Sequence, residues 1–324
     1  MSKIDEIDAK ILKELLSDGR KSFAEIGEQC NTTKDVVAKR YKKMKQDGII
    51  VGATIQMNYR FFGYNAVANL LITVDPQGVD KVMEYIGELP NIFSVFPSYN
   101  KRQIFACVTL RDLSELDHVK DAIKKQSTVL EIRTYLWTAI RNIHENLELG
   151  HPHKVTRMEN ENNFKKSDEA TKKVDELDKQ IIEKLAKNGR LPFTKMAMEL
   201  KTSTDTVIRR FKRLKNAKAI KVVIQIDPSK IGYQAGAVFN VSLMTRSDAA
   251  ETVKKISEIP DVFHITKTSG DYDLSIMAFV KTFDHFFAIR NEIAKLPYTS
   301  IIDTGIEPIP HVSPPPGTYI STLN

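Results

Sequence analysis

Ile4, Ile7, Ile11 and Leu15 recur three and four positions apart, and so do Val174, Leu177, Ile181 and Leu185. That spacing places each set on one buried stripe of an amphipathic helix. A second short helix is predicted to start near Ser22 and again near Pro192, a residue suited to a first helical turn. Each gives way to a tight turn, Asn31-Thr32 or Lys201-Thr202. A third helix then opens on Thr33 or Ser203, whose hydroxyls can cap its free amides. On that helix Val37, Tyr41 and Met44, or Val207, Phe211 and Leu214, fall within a narrow inward arc. Asp35, Ala38, Lys39, Lys42 and Lys43, or Asp205, Ile208, Arg209, Lys212 and Arg213, face solvent. Residues 47–51 and 219–223 are then expected to supply a short β-wing.

After each triplet of helices the period changes. Strands are predicted over 66–74, 92–98, 103–110 and 129–139, with helices over 78–88 and 113–125, giving the order βαββαβ. The order returns as strands 236–244, 262–268, 272–280 and 300–307, with helices 247–258 and 282–295. A repeat underlies this. Residues 5–20, DEIDAKILKELLSDGR, reappear as 175–190, DELDKQIIEKLAKNGR, a shift of 170 residues that also carries Phe23 to Phe193, Arg40 to Arg210 and Pro90 to Pro260. Gly63-Tyr64 returns as Gly232-Tyr233 after a one-residue deletion.

The fold class read from these patterns is α+β: two winged helix-turn-helix domains, each followed by a ferredoxin-like βαββαβ domain. The boundaries read are 1–58 and 59–149 for the first copy, 150–173 for a polar linker, 174–228 and 229–312 for the second, and 313–324 for a Pro-rich tail. The runs LLITV (70–74), IFACV (104–108) and IMAFV (276–280) are apolar at consecutive positions, so both faces of the sheet need cover. Helices cover one face; the other is expected to pack on a second sheet, copy one against copy two or chain against chain.

Charge adds a function. The chain carries 48 Lys and Arg against 41 Asp and Glu, a mild excess that says little until it is located. Six basic residues against one acid stand between Thr33 and Lys45, and again between Ser203 and Lys218. A basic helix by itself is usually a solvated face. Third in a trihelical array, after a tight turn and kept in both copies, it reads instead as a recognition helix for the major groove of double-stranded DNA, with Lys and Arg on phosphates. The expected contact residues are Thr33, Lys34, Lys39, Arg40, Lys42, Lys43, Ser203, Thr204, Arg209, Arg210, Lys212 and Arg213. Only Cys30 and Cys107 are present, in no metal or redox spacing, which fits a reducing, cytoplasmic setting. No apolar run reaches the ~20 residues that span a bilayer, and no motif calls for a metal or cofactor.

These residues resemble the Lrp/AsnC family of feast/famine regulators, twice over. The resemblance rests on the opening Ile4-Asp5, Ile7-Asp8 and Ile11, the triplets Asp18-Gly19-Arg20 and Asn188-Gly189-Arg190, the helix from Thr206 to Leu214, and the turn Gly270-Asp271-Tyr272-Asp273-Leu274. It implies transcription regulation, regulatory domains of the RAM type, homo-oligomers, and an amino-acid effector at Ser269, Gly270, Asp271, Tyr272 and Asp273; an ordinary β-turn is the alternative there. Three departures stand out. Asn31 and Lys201 replace the usual glycine before the recognition helix, Lys218 replaces the glycine kept as Gly48, and copy one's effector turn has decayed to Asn100-Lys101-Arg102-Gln103-Ile104. Siroheme decarboxylases share the architecture, and His264 stands about where they use a histidine, but Ile265-Thr266-Lys267 follow it in place of their aromatic and basic residues. A lone histidine on a strand is usually structural. His144, His151 and His153 read as a solvated cluster beside the linker.

Overall fold

Asp5 and Asp175 each start a helix by a reciprocal cap. The side chain accepts from the amide three residues on, where Asp8 or Asp178 accepts from the capping residue's own N–H. The computed structural model describes residues 4–98, 103–149 and 174–315. The predicted linker, the decayed turn at Asn100 to Arg102, His151, His153 and the chain from 316 onward lie outside the described residues.

The first head comprises α1 (Glu6–Ser17), α2 (Phe23–Gln29), α3 (Lys34–Gln46) and β1 (Ile50–Met57). The domain after it runs β2 (Ala66–Val74), α4 (Val79–Gly87), β3 (Ile92–Ser98), β4 (Gln103–Leu110), α5 (Glu115–Lys124) and β5 (Val129–Asn142). The second head has α6 (Glu176–Lys187), α7 (Phe193–Glu199), α8 (Thr204–Asn216) and β6 (Ile220–Ile226). Its domain has β7 (Ala235–Leu243), α9 (Ala249–Ile256), β8 (Val262–Ser269), β9 (Leu274–Val280), α10 (Phe283–Ala294) and β10 (Thr299–Pro308). Asn31 and Lys201 both take the left-handed conformation that the turn demands, at φ 51°, and Gly48 and Lys218 match at φ 72° and 52°.

The predicted wing segments lead into β1 and β6, which pair antiparallel with each other, Ile50 opposite Ile226 and Met57 opposite Ile220, so the wing is the seam between copies. One expectation is corrected: within the chain the two regulatory sheets do not meet as separate layers. They merge edge to edge into one eight-stranded sheet, β10-β7-β9-β8-β5-β2-β4-β3, each half in split-βαβ order. The cause is the length of β5. Its first part pairs with β2, and its end, three residues past the predicted stop, continues along β8, with Trp137 opposite Thr268 and Asn142 opposite His264. The helix-covered faces form two cores, one around Leu70, Ile72 and Ile86, the other around Phe239, Ile276 and Phe286.

The repeat's symmetry would also pair β10 with β3, yet among the described residues each of these strands has a single partner. Pro308 and Pro310 stand where β5 has Thr138 and Ile140, which removes two N–H donors. The chain turns instead towards the heads, where Ser313 bridges Ile226 and the Pro314 carbonyl accepts from Gln225 Nε2 at 3.1 Å. The start of the predicted tail is thus anchored.

A buried ionic knot ties the segment after β5 to the second regulatory domain. Asp261, 0% exposed, accepts from the Glu148 amide at 2.7 Å and from the Tyr233 hydroxyl. Lys281 Nζ lies 3.4 Å and His285 Nε2 3.6 Å from its other oxygen. No described helix is long and apolar enough to cross a membrane.

Candidate nucleic-acid interface

Thr33 and Ser203 cap the recognition helices as their sequence position predicts, accepting from the amides of Val36 and Thr206. Val37 and Met44, and Val207, Phe211 and Leu214, are buried beneath α3 and α8. Lys34, Lys39, Lys42 and Lys43 stand exposed along α3, and Arg209, Lys212 and Arg213 along α8; Thr204 is partly covered.

Three predicted contact residues have other partners. Arg40 Nη1 sits 2.6 Å from Asp5 and 2.9 Å from Asp8, and Arg210 Nη1 sits 2.5 Å from Asp175 and 3.1 Å from Asp178. Arg213 also reaches the fully buried Asp178. The Arg210 guanidinium holds the Asp175 carboxyl below its usual range. Arg40 and Arg210 are therefore clamps between the first and third helices, because those helices cross with the capping aspartates facing the arginines.

Sequence reading did not assign a role to Arg20 and Arg190, and the structure does. Each reaches across to the other head. Arg20 Nε donates to the Gly189 carbonyl at 2.7 Å and Nη2 to that of Leu191 at 2.5 Å; Arg190 Nη1 donates to the Gly19 carbonyl at 2.6 Å. The Arg20 guanidinium lies 4.1 Å over Phe193 and 5.2 Å over Phe211, while Arg190 lies 5.0 Å over Phe23 and 5.3 Å over Tyr41. Phe211 and Tyr41 belong to recognition helices, so each copy's turn arginine braces the other copy's reading helix. Burial, and then the neighbouring Arg190, push Arg20 down to about 10, which leaves it charged at neutral pH. Gly19 and Gly189 let the turns approach, their amides donating to the carbonyls of Val222 at 2.9 Å and Ala53 at 2.7 Å. Retention of Gly-Arg in both copies was the available signal.

The predicted effector turn lies at the β5–β8 seam. Asp271 Oδ2 accepts from the Tyr135 hydroxyl at 2.9 Å and is 4.0 Å from Arg133 Nη1. Tyr272 stacks on Tyr135 at 4.7 Å, and Asp273 accepts from the Leu243 amide at 2.7 Å. A Cβ on Gly270 would stand 2.7 Å from the Tyr135 ring, and Ser269 ends β8. Arg133, Thr134, Tyr135, Gly270 and Asp271 line an open cleft of ≈ 520 Å³.

Of the four histidines singled out, the two among the described residues engage their neighbours. His264 engages Asn142 Oδ1 at 2.6 Å and Thr266 Oγ1 at 2.7 Å, with Trp137 edge-on to its ring. His144 is not part of a solvated cluster: it is buried and packs against Phe263. Burial pushes His144 down to about 3 and His264 to about 4. Among the described residues no group of three or more His, Cys, Asp or Glu could hold a metal ion.

Paired trihelical heads with basic third helices, set on ferredoxin-like domains, define a tandem helix-turn-helix regulator. The AsnC-type helix-turn-helix domain matches twice, at residues 4–45 and 174–215. An uncharacterised HTH-type transcriptional regulator of Pyrococcus abyssi is 30% identical over 139 residues, 43% of this chain and 88% of that protein. The HTH-type transcriptional regulator LrpA of Pyrococcus horikoshii is 31% identical over 130 residues, 40% of this chain and 92% of its own length. The chain belongs to the Lrp/AsnC family of transcriptional regulators and carries the family's unit twice. One solved structure, the siroheme decarboxylase NirDL, matches the whole fold at a TM-score of 0.60, covering 98% of this chain and 95% of that one at 14% identity. That likeness is one of fold.

Proposed function

We propose that this chain regulates transcription by setting α3 and α8 into successive major-groove faces of double-stranded DNA. One observation carries the reading: cationic helix faces point outward from two heads that Arg20, Arg190 and the β1–β6 ribbon hold together. Lys39, Lys42, Lys43, Arg209 and Lys212 supply phosphate and base contacts, with the capped amides of Thr33 to Val36 and Ser203 to Thr206 at the helix entrances. The protein acts by binding and not by catalysis. His264 has both ring nitrogens engaged within the chain, which favours a structural role over proton transfer or tetrapyrrole ligation.

Affinity is expected to fall with salt at ~0.9 log unit per neutralised phosphate for each log unit of salt. Lys39→Glu and Arg209→Glu should each weaken binding about tenfold or more. Gel shifts on operator DNA from low to moderate salt test both; a flat salt response with unaltered variants removes the assignment.

The cleft at the β5–β8 seam suits an amino acid, with Arg133 for the carboxylate and Asp271 for the ammonium. Calorimetric titration of the common amino acids should give heat with at least one of them, and Asp271→Asn should abolish it. Silence from every amino acid would leave Gly270 to Asp273 as a plain turn.

A further inference from the structure

The two reading helices are locked in one frame but do not carry the same chemistry. Their exposed or partly exposed positions pair Lys34 with Thr204, Val36 with Thr206, Ala38 with Ile208 and Lys39 with Arg209. Their charges are also committed differently. In α8, Arg210 and Arg213 are drawn to Asp178, and Lys215 Nζ lies 2.8 Å from Asp18 of the other copy. The counterpart of Asp18 is the neutral Asn188, and among the described residues Lys43 forms no ion pair where its counterpart Arg213 meets Asp178. Among the described residues, Lys34, Lys39, Lys42, Lys43 and Lys45 of α3 are exposed and carry no ion pair, whereas in α8 this holds for Arg209 and Lys212.

Lysine is a point charge on a flexible stem and suits phosphate; the arginine fork matches the O6 and N7 acceptors of guanine. Thr206 and Ile208 flank Arg209 with methyl groups of the kind that meet thymine. Building on the DNA-binding reading above, we propose that the chain recognises a directional, non-palindromic operator. In this arrangement α3 grips the backbone of one half-site, and α8 reads a guanine-containing sequence in the other through Arg209. Because both heads belong to one chain and brace each other, the unlike half-sites occur in one order and at one spacing.

The test is selection of bound duplexes from a random library by the full chain, followed by fluorescence anisotropy on the enriched duplex. Two unlike half-sites are expected, with guanine fixed in one. Arg209→Ala should remove the guanine preference from that half alone and lower affinity for the enriched duplex about tenfold or more. Arg209→Lys, which keeps the charge and loses the fork, should also relax the guanine. Lys39→Ala combined with Lys42→Ala should weaken every duplex alike, reduce the salt slope by ~0.9 for each phosphate left without its lysine, and relax no base position. A palindromic motif, or an Arg209→Ala protein that keeps its guanine preference, overturns the proposal while leaving DNA binding intact. Failure of the unaltered chain to bind any duplex overturns the regulator reading itself.

Discussion

Acidification from about pH 7 to about pH 5 is expected to destabilise the folded chain by about 4 kcal/mol, a large part of the ~5–15 kcal/mol that holds a typical domain together. The loss comes from His144 and His264, whose folded values lie at about 3 and about 4 because burial disfavours their charged forms. Both titrate near ~6.5 once unfolded. The unfolded chain therefore binds more protons throughout that interval. The stabilisation is full above the unfolded value, declines as pH falls through it, and stops declining below the folded values. Burial lowers His285 as well, which adds to the loss with the same sign. Depressed carboxylates such as Asp175 act further down, near and below their ordinary range, so this window belongs to the histidines. Urea denaturation at the two pH values measures the effect. His144→Phe keeps a ring against Phe263 and should reduce the loss to about 2 kcal/mol; an undiminished loss in that variant would show that His144 is protonated without penalty.

The double substitution Gly19→Ala with Gly189→Ala should part the heads. A Cβ at Gly19 would stand 2.8 Å from the Val223 carbonyl carbon, and one at Gly189 would stand 2.7 Å from the Thr54 carbonyl oxygen. Both obstacles are strand backbone in the β1–β6 ribbon, which cannot swing aside as a side chain would. Overpacking of this kind costs about 1–3 kcal/mol per site. Displaced heads also lose simultaneous engagement of two groove faces, so operator affinity should fall about 100-fold or more. Gly87→Ala is the control, since an added Cβ there meets nothing within 4 Å. Operator affinity and a denaturation midpoint indistinguishable from the unaltered chain would refute the role given to these glycines.

The elements were legible because their signals are local. Three- and four-residue spacing placed the helices, short apolar runs placed β2, β3 and β4 at the predicted limits, and the left-handed turns at Asn31 and Lys201 followed from residue position. What escaped depends on residues far apart in sequence. The pattern IIVGA at 49–53 reads equally well as a hairpin wing or as one half of a ribbon, since a strand's side-chain period does not name its partner. The consecutive apolar runs signalled cover on both faces, but only the length of β5 decided that the sheets join at their edges. At the interface, the outward lysines were readable from helical periodicity. The capture of Arg40, Arg210 and Arg213 by Asp8 and Asp178 was not, because it depends on the crossing of two helices.

The β1–β6 ribbon joins two segments of a single polypeptide. A regulator assembled from separate subunits loses its paired form on dilution, and its occupancy of a target then falls with the square of subunit concentration. Here the pairing of the two heads survives dilution, and on the reading proposed above the occupancy of a target by a single chain would follow the first power of its concentration.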